Sequence, residues 1–236
     1  MNVSAQQTYV SQLLGDTGNV KWTIADFILP ALNTSQFEFV QKLLAYGAGD
    51  ENIYDMLTNL QDSTTQSVDT VGYDLDGLVA TKRIIPGGYI ASKCTVDSVT
   101  RWVTRISMSN LPQQNNRYLK GSDERPVCYI YQNTYFLIVT AGSYPLSATI
   151  YFIREPKELV ASGAIGYQVA TCEVSTIFHR LICKMAAAEC HRMVGDQVNL
   201  TKYQAIMGEV DREVQAIATH GRVEPKAEDI ESWRKK

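Results

Sequence analysis

Apolar residues recur at helical spacing early in the chain, at Ile24, Phe27, Ile28, Ala31 and Leu32 and again at Phe37, Val40, Leu43 and Leu44. Side chains three and four positions apart share one face of a helix, so residues 22–46 are predicted helical, with Pro30 kinking or dividing the stretch. Thr23 is placed to cap its start with Asp26 as capping-box partner, and Gly47 to end it in the left-handed conformation. A third helix is predicted over 50–60, capped by Asp50 and carrying Ile53, Met56, Leu57 and Leu60. Residues 61–77 are rich in Ser, Thr and Asp and poor in apolar side chains, which reads as a linker or a long solvated loop.

The period then changes. Residues 78–85 and 89–96 are β-prone runs around Pro86-Gly87-Gly88, a sequence suited to a hairpin turn. Residues 99–106 match both periods, and their Thr and Val content favours a strand, followed by a short helix near 109–117. Three strands follow at 126–131, 135–140 and 147–153. Gln132-Asn133-Thr134 joins the first two as a hairpin, Ala141 to Pro145 turns into the third, and Pro156, which has no N–H to donate, ends the run.

After a small-residue connector at 161–166, Val174, Ile177, Phe178, Leu181, Met185, Ala188 and Met193 trace one face of a long helix over 173–194, ended by Gly195. A second helix is predicted from Thr201, with Gln204 completing a capping box and Ile206, Val210, Val214 and Ile217 as its stripe, to near Gly221. So short a connection makes the pair an antiparallel hairpin. The predicted fold is α+β: N-terminal helices with an acidic linker over 1–77, a central antiparallel β-module over 78–160, the helical hairpin over 161–221, and an extended arm over 222–236.

Composition changes this picture little, but it excludes several functions. Hydrophobic residues make up 45% of the 236 positions and charged residues 20%, which is the balance of a folded chain. The net charge of −3 supplies no positive field for indiscriminate nucleic-acid binding. No apolar run reaches the length of a membrane span, and residues 1–10 lack the basic and apolar regions of a secretory signal, so a soluble protein folding in a cytosol is expected. Charge is nevertheless unevenly spread. Residues 1–77 hold two bases against ten acids, a balance of −8, and residues 78–160 hold ten bases against five acids, a balance of +5. Such a chain suits stacking against copies of itself, acidic part to basic part, and equally suits two solvated surfaces.

The candidate chemistry is sparse. The five cysteines, Cys94, Cys128, Cys172, Cys183 and Cys190, contain no Cys-x-x-Cys pair and read as small buried apolar residues. His179 and Cys183 share a helix face, as zinc ligands would. Cys172 and Cys190, however, would stand roughly 27 Å apart on a continuous helix, so the set with His191 reads as a packing stripe. Glu155-Pro156-Lys157 has the acid-x-Lys form of Mg²⁺-dependent nucleases, with Asp123 as the candidate second acid, and this is the alternative function. No phosphate loop, dinucleotide fingerprint or nucleophile elbow occurs, and neither His179, His191 nor His220 stands beside a nucleophile signature. No cofactor, metal or catalytic residue is assigned.

The order of parts carries more information. An opening helical segment with Trp22 and Asn33 precedes a β-module bearing Arg125-Pro126-Val127-Cys128-Tyr129-Ile130 and the strand end Tyr151 to Pro156. Paired helices and a charged arm follow. Over roughly residues 20–220 this resembles the head-to-tail adaptor, or neck, proteins of tailed bacteriophages, whose chains run from a helix ending in an Asn-containing turn, through a Pro-Val-Tyr hairpin and a Tyr-x-x-x-x-Pro strand end, to paired helices. The resemblance implies a virion protein that assembles in the host cytoplasm as a homo-oligomeric ring, usually dodecameric. Such a ring sits beneath the portal protein, passes DNA through its lumen without sequence-specific binding, contacts the next tail or neck protein and touches no membrane. It also implies an arm reaching the portal or a neighbouring subunit. Trp233 and Ile230 would be its apolar anchors, with Arg234, Lys235 and Lys236 set against partner carboxylates.

Overall fold

The computed structural model describes residues 2–47, 51–75, 83–116, 119–132, 134–140, 144–161 and 168–220. The fold is mixed α+β, with N-terminal helices, an antiparallel sheet and C-terminal helices. The chain forms two compact units, residues 1–59 with 156–236 and residues 60–155. These bounds differ from the sequence segments. The β-module begins 18 positions earlier than expected because residues 61–68, read as linker, form a strand.

The helical unit opens with α1 (Val3–Leu14), which periodicity does not predict. Its buried face is Val3, Gln6, Gln7, Val10 and Ser11, so polar side chains fill positions where a hydrophobic stripe would betray a helix. After a loop, a π-helical turn (Ile24–Ile28), capped by Thr23, runs directly into α2 (Leu29–Tyr46). Pro30 falls in the first turn of α2, where its missing N–H costs nothing, so it marks a change of helix type and does not break the run. α3 (Glu51–Met56) and a 3-10 turn (Thr58–Leu60) follow; the predicted cap Asp50 lies outside the described residues.

α4 (His179–Val194) is buried on nearly every side and packs against α1, α2 and α5 (Gln197–His220). Small residues make this possible: Ala186, Ala187, Ala188, Cys183 and Cys190 let neighbouring helices approach closely, while Leu181, Ile182 and Met185 fill the gaps. α4 starts later than predicted, after a 3-10 turn (Thr176–Phe178), and α5 starts four residues earlier. The true cap of α5 is Asp196, whose carboxylate accepts from Asn199 N at 2.8 Å and Asn199 Nδ2 at 2.7 Å. Thr201, the predicted cap, lies inside the helix and donates back to Gln197 O at 2.9 Å. Lys184 joins α4 to α5 through Glu209 at 2.9 Å and Glu213 at 2.6 Å.

The second unit is a two-sheet sandwich. One sheet has the order β1 (Gln61–Val68), β8 (Leu146–Arg154), β3 (Ile84–Val96), β4 (Val99–Trp102), all antiparallel. The other has the order β2 (Tyr73–Asp74), β7 (Thr134–Ile138), β6 (Val127–Tyr131), β5 (Thr104–Arg105), with β5 parallel to β6. The predicted β6–β7 hairpin is present. The predicted hairpin at Pro86-Gly87-Gly88 is not. β3 runs through it as a bulge, with its register shifting between Ile84 and Tyr89. Gly87 has φ +80°, and a Cβ on Gly88 would lie 2.7 Å from Ile153 O, so this glycine pair serves a close crossing of backbones within a strand. Val103 lies between β4 and β5, where the chain passes from one sheet to the other.

This partition also dissolves the linear charge segregation. The helical unit spans 13 bases and 17 acids, a balance of −4, and the sandwich spans nine bases and eight acids, a balance of +1. Asp62, Asp69 and Asp74 belong to the same unit as the bases of the β-module.

Candidate interaction surface

Strand register alone lays out the outer face of the four-stranded sheet β1-β8-β3-β4. Thr65 pairs with Thr149, Thr149 with Lys93, and Lys93 with Trp102, forming one row across all four strands. Ser67, Ser147, Thr95 and Thr100 form a second row, and Ser63, Tyr151 and Ala91 a third. The alternate residues, among them Cys94, Val96, Ala148, Ile150 and Phe152, enter the core. Those three rows hold one cation, no carboxylate, and hydroxyls at most other positions.

Trp102 dominates this face, with 61% of its surface exposed. Its ring lies 5.9 Å from that of Tyr151, and Lys93 Nζ sits 4.2 Å from the Trp102 centroid and 5.7 Å from that of Tyr151. The cation lies over the electron-rich faces of both rings, which fixes the three side chains as one platform. Around it, Thr65 and Thr149 pair through their hydroxyls at 2.9 Å, and Thr95 and Thr100 at 3.1 Å. An exposed, preorganised aromatic amid neutral polar groups is the composition of an interface hot spot.

The inner face holds a polar network instead. Ser92 Oγ lies 2.9 Å from Tyr89 OH and 2.8 Å from Tyr135 OH, and Tyr89 OH lies 3.4 Å from Cys128 Sγ. Burial pushes the hydroxyls of Tyr89 and Tyr135 and the thiol of Cys128 up, so all stay protonated. With its members buried and satisfying one another, the network is a core device that fixes how the two sheets pack.

The arm residues Ile230, Trp233, Arg234, Lys235 and Lys236 lie outside the described residues. Of the acid-x-Lys set, Lys157 and Asp123 have side-chain partners of their own. Lys157 Nζ is 3.7 Å from Glu173, whose other oxygen accepts from the Lys157 backbone N at 3.0 Å. Glu155 N donates to Arg83 O at 2.7 Å, and Asp123 accepts from Thr140 N at 3.0 Å. The Cys172, His179, Cys183, Cys190 and His191 set lies within the packing of the helical unit. His179 Nε2 donates to Val174 O at 2.8 Å, Cys172 Sγ lies 3.6 Å from Gln36 Oε1, and His191 Nδ1 is 2.7 Å from Asn199 Oδ1. Burial holds Cys183 and Cys190 up at about 12. Among the described residues no three His, Cys, Asp or Glu side chains cluster to hold a metal, and no helix is long and apolar enough to cross a membrane.

Two residues quoted for the family resemblance have definite roles. Trp22 is 2% exposed and meets His191 edge-on at 5.4 Å. Asn33 is not in a turn; it lies within α2, where its Oδ1 accepts from Leu159 N at 2.7 Å and its Nδ2 donates to Leu159 O at 3.2 Å. One turn on, Gln36 Nε2 donates to Lys157 O at 2.7 Å. Together they hold the strand β9 (Glu158–Leu159), which pairs in parallel with β10 (Gln168–Val169). Sequence reasoning missed Lys93, Trp102 and Tyr151 as a group. The signal available was the alternation of outward polar and inward apolar residues along 91–96 and 146–152, but only register shows that they meet.

Burial depresses the pKa of both His179 and His191 below the ordinary imidazole value, so the folded state prefers them neutral. Unfolded histidines bind protons below about pH 6.5, and stability therefore falls as pH drops below that value. The urea midpoint is expected to decrease from pH 7.5 to pH 5.5, and to decrease less in the His179→Gln, His191→Gln double variant. An unchanged slope in that variant would assign the loss to carboxylates.

No protein-family model matches the chain, and no curated protein matches it in sequence.

Proposed function

We propose that the protein is a structural subunit of the tailed-bacteriophage neck. In this reading identical copies form a ring, twelve in number, between the portal and the tail; DNA passes through the lumen without sequence-specific contacts, and the lower face receives the next tail or neck protein. α4 and α5 supply the helical hairpin of each subunit, and residues 222–236 the arm onto the portal or a neighbour. The ring assembles in the host cytoplasm and resides in the virion.

The observation that carries this reading is the exposed Trp102–Lys93–Tyr151 platform on an open sheet face, supported by the sequence resemblance. A rigid aromatic surface ringed by neutral hydroxyls suits repeated contact between copies. The buried titratable groups, by contrast, are engaged in packing. With unit charges of only −4 and +1, association rests on apolar contact more than on long-range attraction.

Trp102→Ala removes an exposed side chain and is expected to change folding stability by less than about 0.5 kcal/mol. Subunit association is expected to weaken by about 2 kcal/mol or more, roughly 30-fold. Mass photometry and electron microscopy of the full chain, alone and with portal, read both ring and copy number. A ring whose mass falls steeply with salt, yet is indifferent to Trp102→Ala, would place the subunit contact elsewhere. A strictly monomeric chain that leaves portal unbound would sink the neck reading.

A further inference from the structure

The sheet β1-β8-β3-β4 ends in two strands that each have a single neighbour among the described residues, β8 for β1 and β3 for β4. The ladder shows which backbone groups those ends leave over. Val103 N donates to Ser92 O at 3.0 Å, so Ser92 and Val103 form a hydrogen-bonded pair. Bonded and non-bonded pairs alternate along an antiparallel ladder, which turns the N–H and C=O of Thr100 and Trp102 away from β3. Carried across β3 and β8 with the same alternation, the register turns those of Thr65 and Ser67 away from β8. All four residues are exposed.

Sheet edges are commonly blunted by a lysine, a proline or a bulge, because an open edge recruits other strands. β1 has none of these. Its residues Gln61–Val68 pair with β8 in unbroken register and include no proline and no base. So regular an edge is built to receive another strand.

The strand that fits it is β4 of a second copy. Four antiparallel strands give the sheet two edges that run in opposite directions, so a copy set alongside in the same orientation brings its β4 antiparallel to β1 and continues the ladder. No like charges meet at such a junction: β4 carries Arg101 and no carboxylate, and β1 carries Asp62 and no base. The residues whose backbone faces each edge also point to the outer face, so Thr100 and Trp102 of one copy would stand beside the hydroxyls of Thr65 and Ser67 of the next. The contact uses a different edge on each side, which is the heterologous form that closes into rings. We propose that copies of the chain join head to tail by sheet continuation, β4 of one pairing antiparallel with β1 of the next. The inference rests on the neck reading, whose ring of identical copies it supplies with a subunit contact.

Two measurements on the full chain test it. Mass photometry over a concentration series, with and without portal, compares the wild type with Thr65→Pro. Proline at 65 removes an N–H that the sheet itself does not use, together with the exposed hydroxyl pair to Thr149. Circular dichroism should therefore be unchanged, while half-assembly should need about tenfold more protein or more. In the second measurement Thr100→Cys protein is mixed with Thr65→Cys or Ser67→Cys protein and oxidised with diamide. Within one copy Thr100 and Ser67 end a single row across four strands, three strand spacings or about 14 Å apart. A disulfide spans at most about 7 Å between Cα atoms, so a link between these positions forms only between copies. Linked dimers are expected in at least one mixture, well above the level in any variant alone. Assembly unaffected by Thr65→Pro, or mixtures that link no better than the single variants, would overturn the sheet junction and leave the neck reading standing. A chain that stays monomeric at every concentration and leaves portal unbound would end both.

Discussion

Replacing Trp233 with alanine is expected to reduce capture of portal by the full-length protein roughly 30-fold or more, and removal of residues 223–236 to reduce it further. Trp233 is the only aromatic residue after Tyr203, and it stands among Glu231, Arg234, Lys235 and Lys236. A large apolar ring in so charged a segment gains nothing from water, whereas seated in a partner pocket a tryptophan typically contributes about 2 kcal/mol or more. In the proposed reading Ile230, three positions earlier, would supply a second anchor. In the proposed reading the flanking bases would set register against partner carboxylates and would make the on-rate salt-dependent. A pull-down with portal compares the wild type, Trp233→Ala, and the chain ending at Arg222. Circular dichroism of the truncated chain checks that α5, described as far as His220, is retained. Equal portal capture by all three proteins would remove the arm from the binding reading.

Asn33→Leu is expected to be the most destabilising change of a polar residue in the helical unit. Leucine keeps the branched skeleton of asparagine, with a larger volume, but provides neither donor nor acceptor. Both backbone groups of Leu159, now satisfied by Asn33 at 2.7 and 3.2 Å, would lose their partners. The Leu159 side chain is fully buried, so water cannot easily replace Asn33 there. At about 1 to 3 kcal/mol for each orphaned group, the cost is roughly 2 to 4 kcal/mol, and a chain of this size should lose about 5 to 15 °C in Tm. Asn33→Asp keeps the acceptor and loses the donor, and should fall between the wild type and Asn33→Leu. Differential scanning calorimetry of the three proteins reads the order directly. Equal Tm values would show that the β9 segment is held by Gln36 and the β10 pairing alone.

Asn33 also shows where sequence reading stops. From sequence it is one polar residue in a predicted helix, placed in a turn only by the family resemblance; in the fold it lies inside α2 and completes a backbone 126 positions away. Glycine at Pro86-Gly87-Gly88 misleads in the same way. The tripeptide has the local chemistry of a hairpin turn, but what uses it is the close approach of Ile153 O to Gly88, a contact between strands far apart in sequence. Residues 61–68 lack the apolar alternation of a strand because β1 is an edge strand whose inward positions include Asp62, Thr64 and Gln66, and only its pairing with β8 makes it β.

The helices α2, α4 and α5 and the strands β6, β7 and β8 were legible in the chain, because each has an apolar periodicity strong enough to specify a buried face by itself. α1 escaped because glutamine and serine occupy its buried face. The platform of Lys93, Trp102 and Tyr151 was undetermined for a different reason. Its members lie on three strands, and each outward residue is locally an ordinary exposed side chain; only the antiparallel register of β4, β3 and β8 brings a cation and two rings together. Local periodicity follows from neighbours along the chain and is written in the sequence. Register and unit boundaries follow from long-range pairing, whose free energy is shared among residues far apart, and the tertiary structure alone decides them.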